Sequence, residues 1–470
     1  MHNEKVYTPD YVCDYLALPI FGGDINNKHI LDNSCGDGNI LYNIVKKICE
    51  RRNTLSIDLK EHLSTYIHGI DIDEVAIKKC IDRLNELVSE YGVSDVNWDI
   101  KVSNCLTNTE YDGNMDFVIG NPPYCKVHHL SPSDYDLLKK KYTFCKDSMT
   151  DLYLAFFEKG IKQLSPTGLL SYITPNSWLT SKAGKTFRYY LIESKKIYTI
   201  KDNKSLKLFD KATTFTCITF IDNNKYNDGM LYSYPNENGE YTTKIAGIDD
   251  MVIDGKFYIN EPSDNKTIRD IITYKVQNSG RAFHVKNALC TLKDKLFILD
   301  EVAPKEIESP YLKTGIKAST GNVVKMIYPY NENGKPISFK QFDKPIQNYL
   351  IDKAKSLHID TQKSKDWFLY GRTQAIKDTY KPRVYCNTMV RDKKDIKCDI
   401  LSPGTCVYSG LYIYSDIYND LKELYDKIKE ALSHDLFTKY IRIAGKPKNG
   451  DYYTYSSKDI EQYLNYFYKN

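Results

Sequence analysis

The sequence has no C-x-x-C pair, no apolar run of bilayer-spanning length and no apolar stretch behind Met1-His2-Asn3-Glu4-Lys5. The first absence, across twelve scattered cysteines, argues against a zinc ribbon or a disulfide scaffold and for a reducing cytoplasm. The second excludes a membrane-spanning helix, since the longest apolar runs resemble Thr216 to Ile221, far short of the ~20 residues a bilayer needs. The third excludes a signal peptide. Arginine is also scarce, ten of the 65 basic residues. The matching excess of Lys, Ile, Asn and Tyr reads as AT-rich coding bias and carries little functional information.

What is present is an ordinary globular composition, with 41% hydrophobic and 27% charged residues over 470 positions. That length predicts two to three domains. Charge divides unevenly: residues 1–224 carry a net −2 and residues 225–470 a net +6. A basic second half fits a polyanion partner, although chance produces differences of this size too.

The first half alternates strand-like and helix-like segments. Lys28 to Asp32, Tyr66 to Asp71, Met115 to Gly120, Gly168 to Thr174 and Thr216 to Asp222 read as strands. Asn39 to Cys49, Glu74 to Tyr91 and Asp151 to Leu164 read as helices, with apolar residues at helical spacing. The alternation predicts an α/β fold, a Rossmann-like doubly wound sheet covered on both faces. A polar stretch at 222–229 marks a boundary near residue 225. Beyond it the pattern becomes irregular α+β. The expected domains are thus residues 1–225 and 226–470.

Two segments carry chemistry. The turn D-N-S-C-G-D-G at 32–38 joins a strand to a helix, the usual mononucleotide-binding position of a doubly wound fold. It is neither G-x-G-x-x-G nor a P-loop. A plain structural turn is the competing reading, as a solvated strand end is for Asp71. The second segment is Asn121-Pro122-Pro123-Tyr124, directly after an apolar strand. Two prolines fix φ and remove two donors, giving a rigid extended step where open α/β sheets bind ligands. The Asn121 amide oxygen and the Pro122 carbonyl can accept both hydrogens of a planar NH2, and Tyr124 offers a ring for stacking. A bare Pro-Pro turn is the alternative.

Tyr7-Thr8-Pro9, the D-N-S-C-G-D-G turn, G-I-D-I-D at 69–73 and N-P-P-Y together resemble the ordered motifs of S-adenosylmethionine-dependent DNA amino-methyltransferases. Segments 151–164, 168–179 and 208–220 are similar to later motifs of the γ class of restriction–modification enzymes. Segments 312–322, 367–376 and 409–414 are similar to parts of its target-recognition domain. The resemblance implies a SAM-binding catalytic domain, then a DNA target-recognition domain, with no nuclease domain ahead of them. It implies methylation of adenine N6 in double-stranded DNA, on a base flipped out of the duplex. Cytosine N4 is the close rival. RNA-base or protein-glutamine methylation, and a catalytically silent DNA-binding protein, are further alternatives.

The same resemblance implies residue roles. Thr8 and Pro9 lie over the methionine part of the cofactor, and Tyr7 is a further cofactor contact. Asp32, Ser34, Cys35 and Gly36 hold its amino-acid end, Asp71 its ribose and Ile72 its adenine. Asn104 stands where Asp is usual, beside Cys105. Asn121, Pro122, Pro123 and Tyr124 form the catalytic motif, with Asn121 also beside the cofactor. Tyr124 and Phe209 clamp the base, Phe209 rather than Phe215, unless Phe209 is a core aromatic. Lys313, Lys317, Lys325, Arg372 and Gln374 are the DNA-contact candidates, with a structural role open for Arg372. His128-His129 and Lys139-Lys140-Lys141 either touch phosphates or form a solvated surface. No metal is required. The expected partner is duplex DNA; a separately encoded restriction endonuclease and a solitary regulatory role are equal alternatives, and the expected state is a monomer.

Overall fold

The structure, a computed structural model, describes all residues except 1–7, 53–56, 126–129, 147–149, 210–213, 225–227, 237, 276–281, 300–307 and 470, and the side chains of 133–134. Tyr7 and the His128-His129 pair lie outside the described residues. The chain divides into two compact units, Met1–Lys266 and Thr267–Asn470.

The first unit is built on a nine-stranded sheet of order β3-β2-β1-β4-β5-β7-β6-β8-β9. These strands are β1 (Ile30–Asp32), β2 (Ile67–Asp71), β3 (Asp99–Val102), β4 (Met115–Gly120), β5 (Leu164–Pro175), β6 (Ile197–Asp202), β7 (Thr216–Asp222), β8 (Gly229–Pro235) and β9 (Tyr241–Gly247). The five strands from β3 to β5 run parallel, and β7 turns antiparallel against both β5 and β6. Helices α1 (Asp10–Leu16), α2 (Asn39–Glu50), α3 (Glu74–Ser89), α4 (Pro132–Lys141) and α5 (Leu152–Gln163) bear on the site. The fold is thus mixed α/β with a doubly wound parallel half.

The apolar runs are explained by burial on both faces. Along β1, Ile30 joins the core formed with Ile40, Leu41, Ile44, Val45 and Ile48 of α2, whereas Leu31 joins the core formed with Tyr153, Leu154 and Phe157 of α5. Val118 and Ile119 of β4 divide in the same way. The strand order reverses between β1 and β4, and at such a switch point a crevice opens beyond the carboxyl ends of the strands.

The division between compact units falls after Lys266 rather than near residue 225. The cause is β8 and β9. Strand β8 pairs with β6 and carries β9 as an antiparallel neighbour, so residues 229–247 extend the first sheet.

The second unit holds three small sheets. One has the strand order His284–Asn287, Leu411–Tyr414, Arg383–Cys386, Cys398–Leu401. Another joins Asn322–Ile327, Leu312–Lys317 and Cys406–Tyr408, and the third is three-stranded. With its helices it is the α+β unit expected from the irregular pattern. All twelve cysteines are free. No helix among the described residues is long and apolar enough to cross a membrane.

Candidate active site

A cavity of about 780 Å³ opens at the carboxyl ends of β1, β2 and β4, inside the first unit. Its wall contains Thr8, Asp32, Ser34, Cys35, Gly36, Asp71, Ile72, Asn104, Cys105, Asn121, Pro122, Pro123 and Tyr124. Segments far apart in sequence thus meet at one point.

The turn after β1 is shaped by two glycines in the left-handed region, Gly36 (φ 53°) and Gly38 (φ 82°). A Cβ on Gly38 would collide with Cys80 Sγ. Gly36 N donates to Asp71 Oδ2 at 2.9 Å and Asp73 N to Asp71 Oδ1 at 2.9 Å. The Asp71 carboxylate therefore ties the turn to the tip of β2. Asp73 in turn caps α3 by accepting from Val75 N and Ala76 N, satisfying donors left free at a helix start.

Asp32 is fully buried, 1% exposed, and accepts from Ser34 N at 3.1 Å. Burial, aided by the nearby Asp71 charge, pushes its carboxyl up to about 7. Asp32, Asp37, Asp71 and Asp73 line the cavity, and no Lys, Arg or His does so among the described residues. Such a wall attracts a cationic ligand and repels phosphates.

Three buried side-chain atoms in this wall have no hydrogen-bond partner: Asn33 Oδ1, Ser34 Oγ and Asn121 Oδ1. Buried polar groups are normally paired, so three orphans at one cavity indicate groups waiting for a ligand. Asn33 Nδ2 is occupied by Gln163 Oε1 at 2.8 Å and by the Tyr172 hydroxyl at 2.5 Å. Asn121 Nδ2 donates to Thr8 Oγ1 at 3.1 Å. Both amides thus present their oxygen ends as free acceptors.

The remaining wall is apolar. Ile72 is 73% exposed, an uncovered platform for a flat ring. The Tyr124 hydroxyl donates to Ile173 O at 3.3 Å, which fixes its ring, and burial pushes that hydroxyl well up. Asn104 Oδ1 accepts from Leu106 N at 3.0 Å. One lone pair of that oxygen remains for a ligand donor. Burial pushes the Cys105 thiol up to about 12, so it acts as an uncharged filler.

Two predicted residues stand elsewhere. Pro9 starts α1, its carbonyl accepting from Val12 N and Cys13 N, outside the cavity wall. Phe209 is 4% exposed and packs in the core with Ile218 and Phe220. It is a core aromatic here, because the bend that carries it, between β6 and β7, folds its ring into the apolar cluster over the sheet. Sequence reasoning missed Asn33, Asn39, Asp73 and the apolar residues Leu137, Leu138, Leu152 and Phe156, all in the wall. Asn33 and Asn39 sit in or beside the glycine turn, where they could have been found. Asp73 closes the G-I-D-I-D segment and could have been found there too. The four apolar residues carry no motif and arrive through packing of α4 and α5. In the lysine run, Lys141 donates to Leu106 O at 2.7 Å and so braces the cavity loop, whereas Lys140 is exposed.

In the second unit the candidates do not share one surface. Lys313 pairs with Met326, Thr314 with Lys325 and Lys317 with Asn322. Lys313 and Lys317 therefore lie on one face of the ribbon and Lys325 on the other. Met326 and Gly315 are buried on the first face, whereas Thr314, Val323 and Lys325 are exposed on the second. Arg372 and Gln374 are exposed. It is the Arg372 backbone that is tied down, its N donating to Cys290 O at 3.2 Å.

The Eco57I restriction-modification methylase family matches residues 41–209. The match covers about a third of the chain, from α2 to the bend before β7. The chain is 23% identical over 410 residues to the type II restriction enzyme and methyltransferase RM.Eco57I of Escherichia coli, covering 71% of this chain and 41% of that protein. It is 24% identical over 428 residues to the type II methyltransferase M.BstVI of Geobacillus stearothermophilus, covering 78% and 74%. The chain therefore spans well under half of the first relative's length and about three quarters of the second's. Among solved structures, the type IIL restriction-modification enzyme MmeI, in complex with DNA, aligns over 96% of this chain and 66% of that one, with a TM-score of 0.66 at 15% identity. That likeness shows a shared fold.

One pH effect follows from this site. The folded-state pKa of Asp32 lies above its ordinary value, so the folded protein keeps a proton between about pH 4 and 7 that the unfolded chain has lost. This costs stability progressively as pH rises through that window. A cation bound beside Asp32 favours the ionised form. Cofactor affinity should accordingly rise with pH by up to about tenfold per unit below pH 7 and level off above it. Calorimetry in buffers of different ionisation enthalpy measures the released proton. A flat affinity from pH 5.5 to 8 would contradict the assignment.

Proposed function

We propose that this protein is a site-specific DNA methyltransferase acting on the N6 amino group of adenine flipped out of duplex DNA. The observation that carries this reading is the unpaired, buried Oδ1 of Asn121, at the start of N-P-P-Y, a motif in the wall of an acidic cavity. The cofactor is S-adenosylmethionine. Its cationic sulfonium suits the carboxylate wall, Asn33 Oδ1 and Ser34 Oγ suit its amino-acid end, Asp71 its ribose and Ile72 its adenine. When bound, it supplies an electrophilic methyl group.

The chain's own residues do the rest. Asn121 Oδ1 and the Pro122 carbonyl accept hydrogen bonds from the target amino group. This draws the nitrogen lone pair out of ring conjugation and aims it at the cofactor. The two prolines hold both acceptors rigid, and Tyr124 supplies a stacking face worth about 1–3 kcal/mol per base. Alignment then accounts for the acceleration. Tyr7, Thr8 and Cys105 complete the proposed cofactor contacts, with Asn104 accepting from the cofactor adenine. A fixed aromatic opposite Tyr124 is left unassigned, given the buried position of Phe209.

The second unit is assigned to target recognition, with the protein a cytoplasmic monomer working beside a separately encoded endonuclease. Lys325 lies on the open face of its ribbon, so Lys325→Ala should lower the slope of log affinity against log salt by about one, and Lys313→Ala should not. Equal slopes for both variants in fluorescence anisotropy would remove that face from the DNA contact.

The deciding experiment expresses the chain in a host lacking DNA methylation and sequences its genomic DNA with detection of modified bases. N6-methyladenine at one short motif is the expected result. N4-methylcytosine would transfer the reading to the other exocyclic amine. Unmodified DNA, with protein that binds the cofactor, would overturn the DNA substrate.

A further inference from the structure

The Asn121 amide oxygen must sit at one place to meet the substrate's amino group, and its side chain is held from the other end. Asn121 Nδ2 donates to Thr8 Oγ1 at 3.1 Å. That hydroxyl can accept or donate, so what it sets is where the amide sits. Thr8 is buried, 5% exposed, and is held through its carbonyl, which accepts from Asn39 Nδ2 and from Cys13 Sγ at 3.6 Å. The orientation of Asn39 is settled in turn by Arg83, whose Nη2 donates to Asn39 Oδ1 at 3.2 Å. A guanidinium has donors only and a carbonyl is an acceptor only. With Arg83 on one side and Thr8 O on the other, the Asn39 amide has one permitted orientation. The guanidinium is itself fixed, donating to Asp37 O at 2.8 Å and lying 5.2 Å from the centre of the Tyr42 ring.

We propose that Arg83 of α3, which is not part of the cavity wall, is a positioning residue for methyl transfer. Through Asn39 and Thr8 it fixes the place of the hydroxyl on which the Asn121 side chain rests, and so the place of Asn121 Oδ1 at the reacting centre. This rests on the function proposed above for the same cavity.

The test uses the full-length protein, unmethylated phage DNA and S-adenosylmethionine carrying a tritiated methyl group. Arg83→Met keeps the stem over Tyr42 and removes the donors. It should lower kcat between about 10- and 100-fold, the scale on which small misplacements act. KM for DNA and the calorimetric Kd for the cofactor should stay within about twofold. Arg83→Lys should recover part of kcat and Thr8→Ser most of it. Arg83→Met combined with Thr8→Val should be no slower than Thr8→Val alone, because both act through one path. Additive losses, or a weakened cofactor Kd with kcat intact, would overturn the inference.

A second readout needs no turnover. The crystal structure of Arg83→Met should show the Asn39 amide turned and the hydrogen bond between Thr8 and Asn121 broken. The same hydrogen bond intact in the variant overturns the inference whatever the substrate. Wild-type protein inert on DNA, with that bond broken in the variant, would instead overturn the proposed function and leave Arg83's role standing.

Discussion

Asn121→Ala is expected to abolish methyl transfer while leaving cofactor binding intact. The substitution removes the one side-chain acceptor of the N-P-P-Y motif, which is buried in the cavity wall and unpaired. It leaves Asp32, Asp71, Ile72 and the glycine turn untouched. Deleting one preorganised polar group from a reacting centre typically costs about 10²–10³ in kcat, and Asn121 is asked both to orient the amine and to free its lone pair. The loss should therefore reach at least that range at saturating cofactor. Asn121→Asp sharpens the test. It keeps an acceptor towards the cavity, and the Thr8 hydroxyl can donate to its other oxygen. It also adds a charge in a partly buried place. Residual activity well above that of Asn121→Ala, rising where the new carboxylate ionises, would fit the acceptor role. Turnover unchanged in Asn121→Ala would sink the catalytic assignment.

How much could be read beforehand depended on whether a feature was local. The D-N-S-C-G-D-G turn and N-P-P-Y are backbone devices, written in consecutive residues, and both reach the same crevice. They do so because the strands before them, β1 and β4, are sheet neighbours. The apolar runs supplied the strands themselves, since buried parallel strands read that way; that β1 and β4 lie side by side came only with the sheet order. Pairings made through space left no such trace. Asn33 meets Gln163 and Tyr172 across more than a hundred residues. Leu137 and Leu138 enter the cavity wall from a helix whose conspicuous feature is its lysines. Strands β8 and β9 follow the polar stretch that looked like a domain boundary, and only their pairing with β6 assigns them to the first sheet. The lysines of the second unit show the same limit. Lys313, Lys317 and Lys325 are close in sequence, yet hairpin register turns Lys325 to the opposite face.

Asp71→Ala is expected to cost both cofactor affinity and stability, because one carboxylate does two jobs. Each of its oxygens accepts a backbone N–H, from Gly36 and from Asp73, and hydrogen bonds to a charged group are worth about 1.5–3 kcal/mol each. Without them the glycine turn loses its tie to β2. Cofactor affinity should fall at least tenfold, and the melting temperature of the apoprotein should fall as well. A fall in melting temperature alone would describe any structural residue, so the informative variant is Asp71→Asn. It retains one acceptor oxygen and much of the shape but removes the charge. That charge is one of the causes that raise Asp32. In Asp71→Asn the Asp32 carboxyl should therefore ionise at lower pH, and the rise of cofactor affinity with pH should level off earlier than the wild-type value near 7. The sign follows from linkage. A smaller upward shift narrows the window in which the folded protein holds the extra proton. Calorimetric affinities from pH 5.5 to 8 for wild type and Asp71→Asn decide the matter. Unaltered affinity in Asp71→Ala removes this residue from the site. An unmoved plateau in Asp71→Asn means that the two carboxylates do not act as one acidic wall.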